Sequence, residues 1–250
     1  MLHGFFRKVA PLAAIAMATG LAGCDKMNFK IGDTEGVPLA DLDISGDPPT
    51  QLVLAGPDTV VITDGKKLVI TVEGDQAAVD ALRFSLKDGT LGVLRADQSW
   101  KNTGAATIRV TMPSPKSLTL LASGTIQAAS LSGDASVQIL GSGKMSTAKV
   151  AANSLDITIA GSGSYDAAGT TKSLDVSVAG SGSAAMAGLK ADSADISVLG
   201  SGNTEFASDG DVSAEIMGSG NVTVIGRATC KVNSVGSGTV TCKPDNQEAE

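Results

Sequence analysis

The second half of the chain alternates apolar and polar residues around a recurring Gly-Ser-Gly. Four and two positions before each copy stand Leu118/Leu120, Val137/Ile139, Ile157/Ile159, Val176/Val178, Ile196/Val198, Ala214/Ile216 and, more weakly, Val232/Ser234. Between the members of each pair stand Thr119, Gln138, Thr158, Ser177, Ser197, Glu215 and Asn233. A period of two with apolar residues on one side describes a half-buried strand. After each corner the alternation resumes, with Ile126/Ala128, Met145/Thr147, Tyr165/Ala167, Ala184/Met186, Thr204/Phe206, Val222/Val224 and Val240/Cys242 on the inward parity. The corner glycines are Gly141 and Gly143, Gly161 and Gly163, Gly180 and Gly182, Gly200 and Gly202, Gly218 and Gly220, and Gly236 and Gly238, preceded by a degenerate Ala122-Ser123-Gly124. Successive corners lie 19, 20, 19, 20, 18 and 18 residues apart.

Each period therefore reads as strand, glycine corner, strand and looser return. The period of two excludes a helical repeat. An antiparallel meander is the alternative, but it does not require one identical corner per period, whereas a stack of parallel coils does. The expected fold is all-β, a parallel β-helix with coils of about 18–20 residues. Glycine at the corner permits positive φ and close stacking, and the serine between the glycines is placed to bond neighbouring backbone.

The first half is expected to cap or continue this solenoid. Leu39–Ser45, Gln51–Ala55, Thr59–Thr63, Lys67–Glu73, Leu82–Lys87, Thr90–Arg95 and Thr107–Met112 read as strands. Asp88-Gly89 is a hairpin turn signal, and Asp75 is placed to cap one or two helical turns running to Leu82. Pro113 and Pro115 close the segment before the regular repeats begin.

Arg7 and Lys8 precede an apolar stretch from Val9 to Ala22, too short for the ~20 residues of a membrane-spanning helix and suited to a secretory signal. It ends in Leu21-Ala22-Gly23-Cys24, which resembles a bacterial lipobox and implies cleavage after Gly23 and lipid attachment to Cys24. An ordinary signal with a chance cysteine is the alternative. The expected organisation is signal peptide 1–23, lipidated cysteine and tether 24–36, β-rich N-terminal part 37–116, GSG-repeat coils 117–242 and acidic tail 243–250. Asp25, beside the cysteine, resembles a retention signal for the inner membrane of a Gram-negative envelope; inner or outer membrane, and periplasm or surface, stay open.

Composition narrows the chemistry. Cleavage removes Arg7, Lys8 and the single histidine, His3, and takes the net charge from −7 to −9. That balance argues against a nucleic-acid partner, and the lost histidine removes His-based triads and His-ligated metals. No cofactor is expected.

The phrases ADLDISG, KKLVITVEGD, LKDGTLGVL and IRVTMPSPKSLTLLASG, in that order and followed by the GSG repeats, resemble the putative auto-transporter adhesin head GIN domain over roughly residues 37–242. The resemblance implies a right-handed β-helix on a bacterial envelope protein, often a lipoprotein. It implies a non-catalytic, adhesin-like binding or structural role toward an unidentified envelope or extracellular partner, with the membrane reached through Cys24. A periplasmic scaffold or stress-response lipoprotein is one alternative. A polysaccharide-acting β-helix enzyme is another, disfavoured because the mature chain keeps only Phe29, Phe84, Trp100, Tyr165 and Phe206 as aromatic platforms for sugar.

Four features carry candidate chemistry. Cys230 and Cys242 share inward parity on the two flanks of the last corner, and the exported environment favours a disulfide; free thiols or a redox pair are the alternatives. Asp156, Asp175 and Asp195 occupy one position in successive coils, either as a solvated acidic stripe or as a weak divalent-ion site, though without the GGxGxD pattern of calcium-binding repeats. Leu121, Leu140, Ala160, Ala179, Leu199, Met217 and Val235 precede the first glycines and by alternation point outward; they either pack inside a bent corner or form a homo-oligomer face. Trp100, in the loop Asp97–Gly104, is either rim packing or a recognition tip.

Overall fold

The alternation is realised as side-chain ladders. In the computed structural model, which describes residues 36–96 and 104–243, parallel strands run β7 (Ser117–Ala122), β8 (Thr125–Gly141), β9 (Lys144–Gly161), β10 (Ser164–Gly180), β11 (Ser183–Gly200), β12 (Asn203–Gly218), β13 (Asn221–Ile225), β14 (Thr229–Gly236) and β15 (Thr239–Lys243). Before the corner, Leu118, Val137, Ile157, Val176, Ile196, Ala214 and Val232 lie in register, one per rung. All but Val232, together with the inward residues after the corners, form one continuous core. The fold is the β-solenoid that the period of two and the repeated corner predict.

The returns are strand as well, so β8 to β12 each run almost unbroken from one corner to the next. The unequal periods are absorbed there. The register slips between Gly133 and Asp134, between Ala167 and Gly169, and between Met186 and Lys190, while the strand before every corner stays in step. A bulge takes up an extra residue at little cost to the ladder around it.

The corners explain the glycines. The first glycine has positive φ at all six complete copies, from +117° at Gly200 to +140° at Gly141. A Cβ there would stand 2.3–2.5 Å from the carbonyl oxygen of the equivalent residue one rung below. The second glycine faces inward, where a Cβ would meet the Leu, Ile or Val side chain of the rung below, as at Gly182 against Ile159 at 2.5 Å. The serine hydroxyls play no part in the stacking. The serines are exposed, and backbone carries the corner ladder, with Ser162, Ser181, Ser201 and Ser219 donating N–H to the first corner glycine one rung below at 2.8–3.0 Å.

The N-terminal part both continues and caps the solenoid. It holds β1 (Gln51–Ala55), β2 (Thr59–Asp64), β3 (Val69–Glu73), α1 (Gln76–Ala81), β4 (Leu82–Lys87), β5 (Thr90–Arg95) and β6 (Thr107–Met112). β1 lies between β5 and β7, and β2 between β6 and β8, all parallel. The rung laid down first in sequence is thus inserted between the β5–β6 rung and the regular coils. Beyond the β5–β6 rung, β4 and β3 pair antiparallel and close that end.

The two-residue turn at Asp88-Gly89 joins β4 to β5 with φ of 50° and 71°. Asp75 occupies the N-cap of α1 but makes no side-chain cap bond. Leu39–Ser45 is not a strand. Leu39–Asp41 forms one turn of 3-10 helix after Pro38, and Ser45 donates backbone and hydroxyl bonds to Asp43. Val37 bridges to Phe84 on the edge of β4, but Pro38 removes the next ladder donor and the 3-10 turn that follows carries the chain off that edge. The expected signal peptide, Cys24, the expected tether up to residue 35, Trp100 and the residues after Lys243 lie outside the described residues.

Candidate binding surfaces

Because inward and outward residues alternate, each outward position becomes a straight ladder along the solenoid axis, with about 4.8 Å between rungs. On the face before the corner, one ladder runs Ser136, Asp156, Asp175, Asp195, Ser213 and Lys231. The three aspartates are thus brought together as expected, exposed and in consecutive rungs. Partial burial in the sheet face, and then neighbouring carboxylates, hold Asp156 and Asp175 above the ordinary carboxylate value; the neighbours are Asp134 for the first and Asp156 and Asp195 for the second. Aspartates stacked in a line present adjacent charges without converging on a point, and among the described residues no cluster of three or more His, Cys, Asp or Glu is arranged to hold a metal ion.

The ladder next to the corner runs Leu121, Leu140, Ala160, Ala179, Leu199, Met217 and Val235. It does point outward, and its two ends differ. At the N-terminal end Leu121 is buried in a small external cluster with Ala55 and Leu94, flanked by Val53 and Leu140. At the C-terminal end Leu199, Met217 and Val235 are 51%, 52% and 66% exposed.

Around the corner, the outward side of β8 to β11 forms a shallow groove of about 580 Å³ whose lining includes Val61, Gln127, Ser146, Ala148, Asp166 and Ala168. The described aromatic residues, Phe84, Tyr165 and Phe206, are all in the core. Tyr165 donates its hydroxyl to Thr147 at 3.0 Å, and burial pushes its phenol up to about 12, far from any proton exchange at neutral pH.

Cys230 and Cys242 are joined, with 6.8 Å between their Cα atoms. They tie the strands on either side of the last corner, above which no further rung lies among the described residues. Cys230 is half-buried against the core and Cys242 is exposed.

One polar centre escaped the sequence reading. In the inserted rung the corner is Gly56-Pro57-Asp58, and Asp58 takes the inward position of the second glycine. Its buried carboxylate accepts from Arg95 Nε at 2.9 Å, from Arg95 Nη2 at 2.5 Å and from the Ala106 N–H at 2.8 Å. Arg95 also donates to the Gly104 carbonyl at 2.9 Å. The pair fills this corner beside the end of β5, and the same carboxylate holds Ala106 just before β6. The signal was present as an aspartate where every regular corner has glycine. A second, exposed centre lies on the return side, where Asp209 accepts from Lys190 Nζ at 2.6 Å and from the Arg227 N–H at 3.0 Å. These bonds hold its carboxyl below the ordinary value.

Residues 48–228 match the family described as "Putative auto-transporter adhesin, head GIN domain". Solved structures share the fold. A putative adhesin from Bacteroides fragilis aligns with a TM-score of 0.71 at 18% identity, covering 78% of this chain and 92% of that one. A putative lipid binding protein from Parabacteroides distasonis aligns at 0.60 and 20% identity, over 79% and 93% of the two chains. A putative adhesin from the same species aligns at 0.63 and 18% identity, over 78% and 93%. No curated protein matches the chain.

Proposed function

Because the chain belongs to the putative auto-transporter adhesin, head GIN domain family, we propose that it is an exported, non-catalytic binding protein of the bacterial envelope, held to a membrane by lipid on Cys24. Its work is to present the side of a rigid solenoid to an envelope or extracellular partner. The observation that carries this reading is the outward face of the coils, where an acidic ladder (Asp156, Asp175, Asp195) and a hydroxyl ladder (Thr158, Ser177, Ser197) run side by side in register over three rungs, beside an apolar ladder next to the corner. Such a face offers the same group at a fixed repeat, which suits an extended or repetitive partner. Names given to proteins of the same fold, two adhesins and a lipid-binding protein, support a binding role.

Anchoring is tested by fractionating cells that express the full chain or its Cys24→Ser variant. The wild type should sediment with membranes and carry an acylated N-terminal cysteine by mass spectrometry. Equal partitioning of the two proteins would remove the anchor. The non-catalytic assignment is tested on envelope glycans, and turnover abolished by Asp156→Asn, Asp175→Asn or Asp195→Asn would overturn it.

A further inference from the structure

The two ends of the solenoid are finished differently. At the N-terminal end, antiparallel β3 and β4 cover the outermost parallel rung. At the C-terminal end, β14 pairs only with β12 and β15 only with β13 among the described residues. The outer edge of β14, Thr229–Gly236, therefore presents a row of backbone N–H and C=O groups without partners. Its side chains are uncovered too. Val232, inward by parity, is 52% exposed, while the equivalent Ala214 one rung below is 2% exposed. The corner itself is closed, because Ser234 Oγ donates to the Gly238 carbonyl at 3.2 Å. β14 and β15 both stay open, and the β14 edge has an apolar centre, continuous with exposed Leu199, Met217 and Val235.

We propose that this end docks a second copy of the chain, tip to tip, with β14 pairing antiparallel to its own counterpart across a two-fold axis at Val232. The strand is self-complementary in that register. Val232 meets Val232 of the second copy, Cys230 lies opposite Ser234, and Lys231 lies opposite Asn233. Asn233 donates its amide to Glu215 at 3.2 Å, so Lys231 of one copy reaches the Asn233–Glu215 pair of the other. Lys231 is the cation at the end of the ladder Asp156, Asp175, Asp195 and Ser213, and the pairing turns it toward a carboxylate. Antiparallel strands exchange N–H and C=O groups directly, and a two-fold contact uses the same β14 edge of both copies, so that edge is closed in the pair. The inference holds wherever the chain is anchored, and its failure would leave the proposed binding role standing.

The test uses the full chain in non-ionic detergent, by sedimentation and amine cross-linking. The expected result is a concentration-dependent dimer with a Lys231–Lys231 link, the two Lys231 Cα atoms lying roughly 8 Å apart in this register. Val232→Lys should abolish the dimer, and Val69→Lys at the opposite end should not. Lys231→Glu, an exposed change that leaves the core alone, should weaken association about tenfold, and adding Glu215→Lys should restore it. A chain that stays monomeric, a dimer insensitive to Val232→Lys and Lys231→Glu, or links only through Lys66 and Lys67 would each overturn the proposal. So would pairing of the β14 edge with another protein in place of a second copy.

Discussion

Replacing Gly180 with alanine tests the stacking argument at one atom. Gly180 has φ of +118°, and an added Cβ would lie 2.5 Å from the Gly161 carbonyl oxygen, nearly 1 Å inside an ordinary contact of 3.4 Å. Holding alanine in that conformation costs about 1–3 kcal/mol. The carbonyl cannot retreat freely, because it accepts the Ser181 N–H at 2.9 Å, and loosening that bond costs about 1 kcal/mol more. The expected loss is therefore about 3 kcal/mol, or a fall of about 6–12 °C in the thermal midpoint for a domain of this size. The assay is far-ultraviolet circular dichroism against temperature, with Gly46→Ala as the control, since nothing lies within 4 Å of a Cβ built there. If Gly180→Ala loses no more than the control, the corner glycines are not required by coil stacking and the reasoning fails.

Three further outcomes follow from the same geometry. Asp175 has a raised carboxyl in the folded state, so its charge disfavours folding at neutral pH, and this penalty fades as pH falls through the raised value. Each neighbouring charge about 4.8 Å away repels it by about 0.9 kcal/mol in water-like dielectric, less after screening. Asp175→Asn should thus raise the thermal midpoint by about 1–3 °C at pH 7, with the gain gone near pH 3; a gain equal at both pH values would contradict the ladder. Asp58→Ala removes the buried acceptor of two Arg95 bonds and of the Ala106 N–H and should cost about 3 kcal/mol in chemical denaturation, and a loss below about 1 kcal/mol would refute the corner pair. Reducing Cys230–Cys242 removes a constraint worth about 3 kcal/mol for a loop of this length. Amide exchange should accelerate in β14 and β15 while β9 to β11 stay protected; uniform acceleration would mean that the last rung is not locally held.

The coils were legible because each inward residue is repeated, so a period of two and a fixed corner spacing leave few other folds. The outward ladders followed from the same parity, including Asp156, Asp175 and Asp195. Whether Leu121 would be buried and Val235 exposed did not, because that depends on what lies beside the corner. Val53, Ala55 and Leu94 arrive there from strands far away in sequence. The insertion of β1 and β2 between β5–β6 and the regular coils was equally invisible, since the alternation of a strand does not name its neighbours. Leu39–Ser45 alternates like a strand but turns away from the β4 edge after the single Val37–Phe84 bridge, where Pro38 and the 3-10 turn Leu39–Asp41 redirect the chain. The Asp58–Arg95 pair joins residues 37 apart in sequence, and only the missing glycine at Asp58 hinted at it.

The proposed envelope role turns most directly on where the folded coils are displayed. Intact cells expressing the full chain should be treated with an external protease, with permeabilised cells in parallel and fragments followed by antibodies to the GSG coils. An adhesin-like protein displayed at the surface is cleaved on intact cells, while a periplasmic marker survives. Cleavage only after permeabilisation would contradict surface display and turn the binding role toward periplasmic partners near the membrane.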